Sequence, residues 1–168
     1  EDPNHAIFFV LMFAPTVGAV LAWAFGGGRI QWGRPNWWIL AGLIPAIAVL
    51  GVYLLGSMVG WDVVDPSLLR SALTAAPVAI FSASLSAIGE EIGWRGFLWP
   101  LLRGRSGFWI SSLIVGVIWW VYHVPLIIFG WYGDVAHLPA FTVAIVGITL
   151  FLGVITDRSR SLWPSVVT

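Results

Sequence analysis

Five stretches of this chain are each apolar over the length that crosses a bilayer, and that feature decides the fold class. A hydrocarbon core of about 30 Å needs roughly 20 apolar residues in a helix. The stretches run over about 6–25, 37–59, 66–102, 108–129 and 138–155, and another begins at Leu162. Inside a bilayer every backbone N–H and C=O must find a partner within the protein, so only helices and closed barrels span it. Ten-residue alternating strands, the mark of a barrel, are not visible. The expected architecture is therefore all-α: a polytopic transmembrane helix bundle with at least five spans plus the start of a sixth. Composition agrees. Of the 168 residues 59% are hydrophobic and 10% charged, with a mean hydropathy of +0.92, whereas a soluble domain carries about 25% charged residues.

Charge and cysteine content exclude several classes. The net charge is zero, so nothing points to a nucleic-acid partner. Without cysteine there is no disulfide, no thiolate metal site and no cysteine nucleophile. All eight basic residues are arginines, and they are placed unevenly. Arg29 and Arg34, Arg103 and Arg105, and Arg158 and Arg160 fall in alternate loops. Glu1, Asp2, Asp62, Asp65 and Asp134 fall on the other side, with Arg70 as the exception. The positive-inside rule then predicts Arg-rich loops facing the cytoplasm. No repeat or linker is visible, so residues 1–168 read as a single domain. Glu1 in place of Met, and an apolar run that breaks off at Thr168, read as the ends of a fragment.

One cluster of charges does not fit a loop. Glu90, Glu91 and Arg95 lie within the third stretch, after "APVAIFSASLSAIG". A charge at mid-bilayer costs about 2.5–3.5 kcal/mol on insertion scales, and such residues face the bundle interior and mark function. Helix geometry sorts the three. Glu91 and Arg95 are four apart and share a face, as an ion pair requires. Glu90 points about 100° away and is left to face something else. Ser82 and Ser86 lie on its side of the helix, and Gly89, Gly93 and Gly96 let another helix come close. Counting outward from Arg105 in the next loop, Glu90 is 15 residues before it and His123 is 18 after. At about 1.5 Å per residue the two depths differ by about one turn. A carboxylate and an imidazole at matched depth can together hold and deprotonate a water.

These residues carry a family resemblance. "EEIGWR" fits EExxxR, the first motif of the CPBP family of CAAX proteases and bacteriocin-processing enzymes. "WWVYH" resembles its second motif, FxxxH, with Trp119 in place of the usual Phe. "GVITDRSRSLWPSVVT" resembles the approach to the third motif, HxxxN or HxxxD, whose His would come after Thr168. The resemblance covers roughly residues 70–168. It implies an intramembrane endopeptidase, with Glu90 as general base and His123 holding the water or a metal. Glu91 and Arg95 would be supporting partners, and the third motif would complete the site. It also carries an expectation of zinc, with Glu90 and His123 as the ligands. A catalytic zinc takes three protein ligands plus water. The sequence as given supplies two at matched depth, so it does not by itself require zinc.

The resulting expectation is hydrolysis of a peptide bond by direct attack of water, without an acyl-enzyme. The partners would be the lipid bilayer and a peptide or lipidated protein substrate. Trp119, Trp120 and Ser86 are the candidates for a substrate groove. The serines of "SASLS" lack a base and an orienting acid, which argues against a serine nucleophile. Two alternatives stay open. One is a non-enzymatic binding or bacteriocin-immunity protein of the same fold. The other is a proton-coupled carrier using Glu90 and His123 as a relay. His5 and His137 fall in loops, and Asp157 with Arg158 is expected to cap a helix end.

Overall fold

The computed structural model of this chain describes residues 7, 10–26, 32–34, 36–60, 66–131 and 133–168. His5 lies outside them. Among the described residues the chain is helical and has no strand. Helix α1 is Ala14–Gly26, α2 is Asn36–Met58 and α3 is Pro66–Gly93. A π-helical turn, Trp94–Leu98, joins α3 to α4, Trp99–Arg103. Helix α5 is Phe108–Ile128. A 3₁₀ turn, Val135–His137, leads into α6, Leu138–Ser159, and α7 is the short Trp163–Val166. Four rods are long and apolar enough to cross a bilayer: Asn36–Met58, Thr74–Arg103, Phe108–Ile128 and Val135–Ser159. They match the second to fifth apolar stretches. The described part of the first stretch, Val10–Gly26, is a shorter apolar helix. The expected start of a sixth is α7, a single turn.

Prolines shape the bundle through the hydrogen bonds they cannot make. The first helix is interrupted at Phe13, two residues before Pro15. Proline has no N–H, so the carbonyl four residues earlier loses its helical donor. That carbonyl is Leu11, and it accepts from the hydroxyl of Tyr122 on α5. Pro45 lies inside α2, and the carbonyl four before it, Ala41, accepts from Thr168 Oγ1 at 3.4 Å. In lipid, helix-breaking residues persist where neighbours satisfy the freed groups in this way. The π-turn has a related origin. The Pro100 ring crowds the carbonyl four residues back, and the preceding turn widens so that Trp99 N–H reaches Trp94 O.

Glycines set where helices meet. Helix α1 crosses α3 at Gly89 and Gly93, where an added Cβ would lie 2.8 Å from the Met12 carbonyl oxygen and 2.5 Å from that of Pro15. Thr16 Oγ1 donates to Gly89 O at 2.6 Å and seals the crossing. Gly153 on α6 receives the Trp99 ring, which a Cβ would meet at 2.5 Å. Helices α5 and α6 pack antiparallel through Gly116 against Thr149. Helix α7 folds back against α2, α3 and α6, with Trp163 stacked on Trp32 at 4.9 Å.

One expectation from the sequence is corrected. Asp157 does not pair with Arg158 to cap a helix end. Its Oδ1 accepts from Trp99 Nε1 at 2.8 Å, and its Oδ2 meets Arg103 Nε at 2.9 Å. The helix period puts Asp157 and Arg158 on different faces, and the face of Asp157 is the one against α4. The acid therefore ties two spans together.

Candidate active site

Glu90, Glu91, Arg95 and His123 are all buried, none more than 8% exposed. Three come from the end of α3 and the π-turn, the fourth from α5. Single π-turns recur at functional sites because they re-aim side chains within a helix. Here the turn starts at Trp94, one turn beyond Glu90.

The carboxylate of Glu90 is held from one side. Its Oε2 accepts two indole N–H bonds, from Trp94 at 3.1 Å and from Trp119 of α5 at 2.7 Å. Its Oε1 faces His123 Nε2 at 3.9 Å. The imidazole is held from its own far side, with Nδ1 2.9 Å from the Trp119 carbonyl oxygen. A carbonyl only accepts, so Nδ1 donates, and in the neutral ring Nε2 keeps its lone pair. Two acceptors thus face one another across a gap longer than a hydrogen bond. A gap of that width has room for one atom that bonds to both groups. Tyr122 and Phe141 wall the imidazole, with ring centroids at 5.2 and 5.6 Å.

Glu91 and Arg95 form an ion pair, Nη1 to Oε1, at 2.7 Å. The guanidinium also lies over the Trp119 ring, 4.5 Å from its centroid, where the negative face of the indole attracts it. Trp119 therefore touches every member of the cluster except Glu91. It donates to Glu90, accepts from His123 and stacks under Arg95.

The three groove candidates are placed differently. Trp119 lies on the Glu90 carboxylate. Trp120, about 100° further round α5, donates from Nε1 to Thr142 Oγ1 at 2.9 Å and lines an apolar groove of about 440 Å³ between α5 and α6. Ser86 is half-buried one turn before Glu90, and His137 is exposed in the 3₁₀ turn. Sequence reasoning missed the two indole donors. The available signal was spacing: Trp94 is four residues after Glu90, and Trp119 four before His123.

The same residues bear on a metal. Among the described residues no three His, Cys, Asp or Glu side chains converge, and a catalytic zinc takes three protein ligands. Moreover, Glu90 Oε2 is already occupied by two N–H donors. The described residues therefore do not make up a catalytic zinc site.

The fold and this cluster define an all-α membrane protein with a buried Glu–His pair. The sequence profile of the type II CAAX prenyl endopeptidase Rce1-like family matches residues 72–168, the segment that holds the whole cluster. The chain belongs to that family, consistent with the CPBP resemblance. Over 48 residues it is 38% identical to a protein of Methanococcus maripaludis described as CAAX prenyl protease 2. That match spans 29% of this chain and 18% of the Methanococcus protein's length. No solved structure matches significantly. Family and apolar helices together make this an integral membrane protein.

Proposed function

We propose that this chain carries the water-activating centre of an intramembrane endopeptidase whose substrates are lipidated proteins of the CAAX prenyl type. The observation that supports this most is the facing pair, Glu90 Oε1 and His123 Nε2 at 3.9 Å, each fixed from behind by Trp119. Water held there attacks the scissile carbonyl carbon. One of its protons passes to Glu90 as the C–O bond forms. The Glu90 acid then returns that proton to the amide nitrogen as the C–N bond breaks. No acyl-enzyme forms, so oxygen from labelled water enters the new carboxylate in a single turnover. His123 holds the second proton of the water and keeps the lone pair aimed at the carbonyl. Glu91 and Arg95 support the arrangement, with Arg95 fixing the Trp119 ring. The Arg-rich loops face the cytoplasm, where prenylated C-terminal segments are presented.

The test is hydrolysis of a quenched fluorescent peptide with a prenylated cysteine, by the full chain in proteoliposomes. General-base catalysis contributes about 10²–10⁴ in rate, so Glu90→Gln should lose that much. His123→Ala should lose a similar amount, and the double variant little more, because the two act as a unit. Unchanged turnover in Glu90→Gln would overturn Glu90 as the base, and no hydrolysis by the parent chain would sink the proteolytic reading and leave a non-enzymatic binding role for the fold.

A further inference from the structure

A second polar site lies one and a half turns further along the same rod. Arg95, Arg103 and Arg160 line a cavity of about 120 Å³ with Trp99, Asp157 and Ser161. On this measure one water needs about 10–15 Å³, so the cavity has ample room for a compact oxyanion.

Several observations point to an anion. Arg95 is 1% exposed, and its Nη2 has no hydrogen-bond partner among the described residues. A buried guanidinium nitrogen left unpaired is costly, and an anionic oxygen satisfies it best. Asp157 is the one acid lining the cavity, and it is already neutralised. Trp99 Nε1 and Arg103 Nε hold its Oδ1 at 2.8 and 3.2 Å, and Arg103 Nε holds its Oδ2 at 2.9 Å. Counting Glu91 with its partner Arg95, three guanidinium groups meet two carboxylates, and a positive charge is left over. Arg160 is the exposed member, and it sits at φ 55°, ψ 41° as the last residue of the α6 helix end. It is the only non-glycine at positive φ among the described residues. That conformation costs about 1–2 kcal/mol for an L-residue and favours glycine. An arginine in that conformation is consistent with a use for its side chain.

The depth of the cavity narrows the ligand. It lies between the Arg103 end of one span and the Ser159 end of another. Basic pockets at such span ends meet lipid headgroups. A carboxylate offers two coplanar oxygens, enough for one guanidinium fork, whereas a tetrahedral phosphate can meet several. We infer that the Arg95–Arg103–Arg160 cavity binds a phosphate group, supplied by a membrane phospholipid headgroup or by soluble phosphate. This site shares Arg95 with the Glu91 ion pair, includes neither Glu90 nor His123 in its lining, and its occupancy does not depend on the proposed hydrolysis.

The experiment is thermal unfolding of the full chain in detergent micelles. Phosphatidylglycerol is compared with diacylglycerol, which lacks the phosphate, and inorganic phosphate with acetate at equal ionic strength. At about a hundredfold excess over Kd, a bound ligand raises Tm by about 5–10 °C for a chain of this size. The expected result is that shift with phosphatidylglycerol and none with diacylglycerol. A full shift with inorganic phosphate alone keeps the phosphate site and assigns it to a soluble anion. Arg160→Gly removes the guanidinium while suiting the left-handed backbone, so it should fold as well as the parent and lose the shift. An equal shift with acetate, an equal shift with diacylglycerol, or a shift retained in Arg160→Gly would each overturn the inference.

Discussion

Helices α2 and α5 are near twins in sequence class and opposites in use. Both are apolar spans, of 23 and 21 residues. Yet 11% of the α2 window is buried inside the protein, against 33% of the α5 window. Helix α2 buries only Ala41 and Gly56, while α5 buries Ser111, Ser112, Val115, His123, Leu126 and Ile127. The contrast shows what apolarity does not decide. Lipid tails are as apolar as leucine, so a greasy face has no preference between bilayer and bundle. Helices instead meet where small residues allow close approach and where polar groups need partners. Helix α5 carries Gly116, Trp119, Tyr122 and His123 along the side that meets α3, α6 and the first helix. Helix α2 presents Ile39, Leu43, Ile47, Leu50 and Leu54 outward. The site is therefore built where the polar residues are.

The largest test of that contrast is a glycine pair. At Gly93 an added Cβ would lie 2.5 Å from the Pro15 carbonyl oxygen, and backbone cannot give way cheaply. At Gly51 in α2 nothing lies within 4 Å. Gly93→Ala should destabilise by about 3 kcal/mol, the upper part of the usual overpacking range. Gly51→Ala should be neutral or stabilising by up to about 1 kcal/mol, since alanine is the better helix former. Thermal unfolding in detergent reads both. Equal effects would mean that the crossing of α1 over α3 is not a tight contact.

A tryptophan pair within α5 is the next test, and it bears on activity. Trp119→Phe removes one of the two donors on Glu90 Oε2 and installs the aromatic usual in the FxxxH motif. A hydrogen bond to a charged group is worth about 1.5–3 kcal/mol, so turnover of the prenylated peptide should fall about tenfold to a hundredfold. Trp120→Phe removes only the bond to Thr142 and should leave turnover near the parent. If the two variants behave alike, Trp119 does not position the carboxylate.

Sequence and structure agree where the physics is one-dimensional. Span positions follow from the length of apolar runs. The Glu91–Arg95 pair follows from helix period, and the common depth of Glu90 and His123 from counting residues around a hairpin. Partners that depend on rotation about a helix axis were not legible. Period shows that Trp94 lies one turn beyond Glu90, but not that its indole turns inward. It shows the face of Asp157, but not that Trp99 and Arg103, more than 50 residues away in sequence, occupy that face. The π-turn resets the register of everything after Gly93, and Pro100 was its only local sign.

The smallest effect sharpens the comparison through a tyrosine pair. Tyr122 on α5 donates to the Leu11 carbonyl, the group freed by Pro15. Tyr53 on α2 is 46% exposed. Tyr122→Phe should cost about 1 kcal/mol, the net worth of one such bond, and Tyr53→Phe close to nothing. A double-mutant cycle separates the bond from the ring. In a Pro15→Ala background residue 15 regains an N–H, which can serve Leu11 as in any helix. The Tyr122→Phe cost should then shrink toward zero, giving a coupling of about 1 kcal/mol between positions 15 and 122. Full additivity would mean that the hydroxyl does not repair the proline break. In that case the seating of the first helix against the site would rest on the glycine crossing and Thr16 alone.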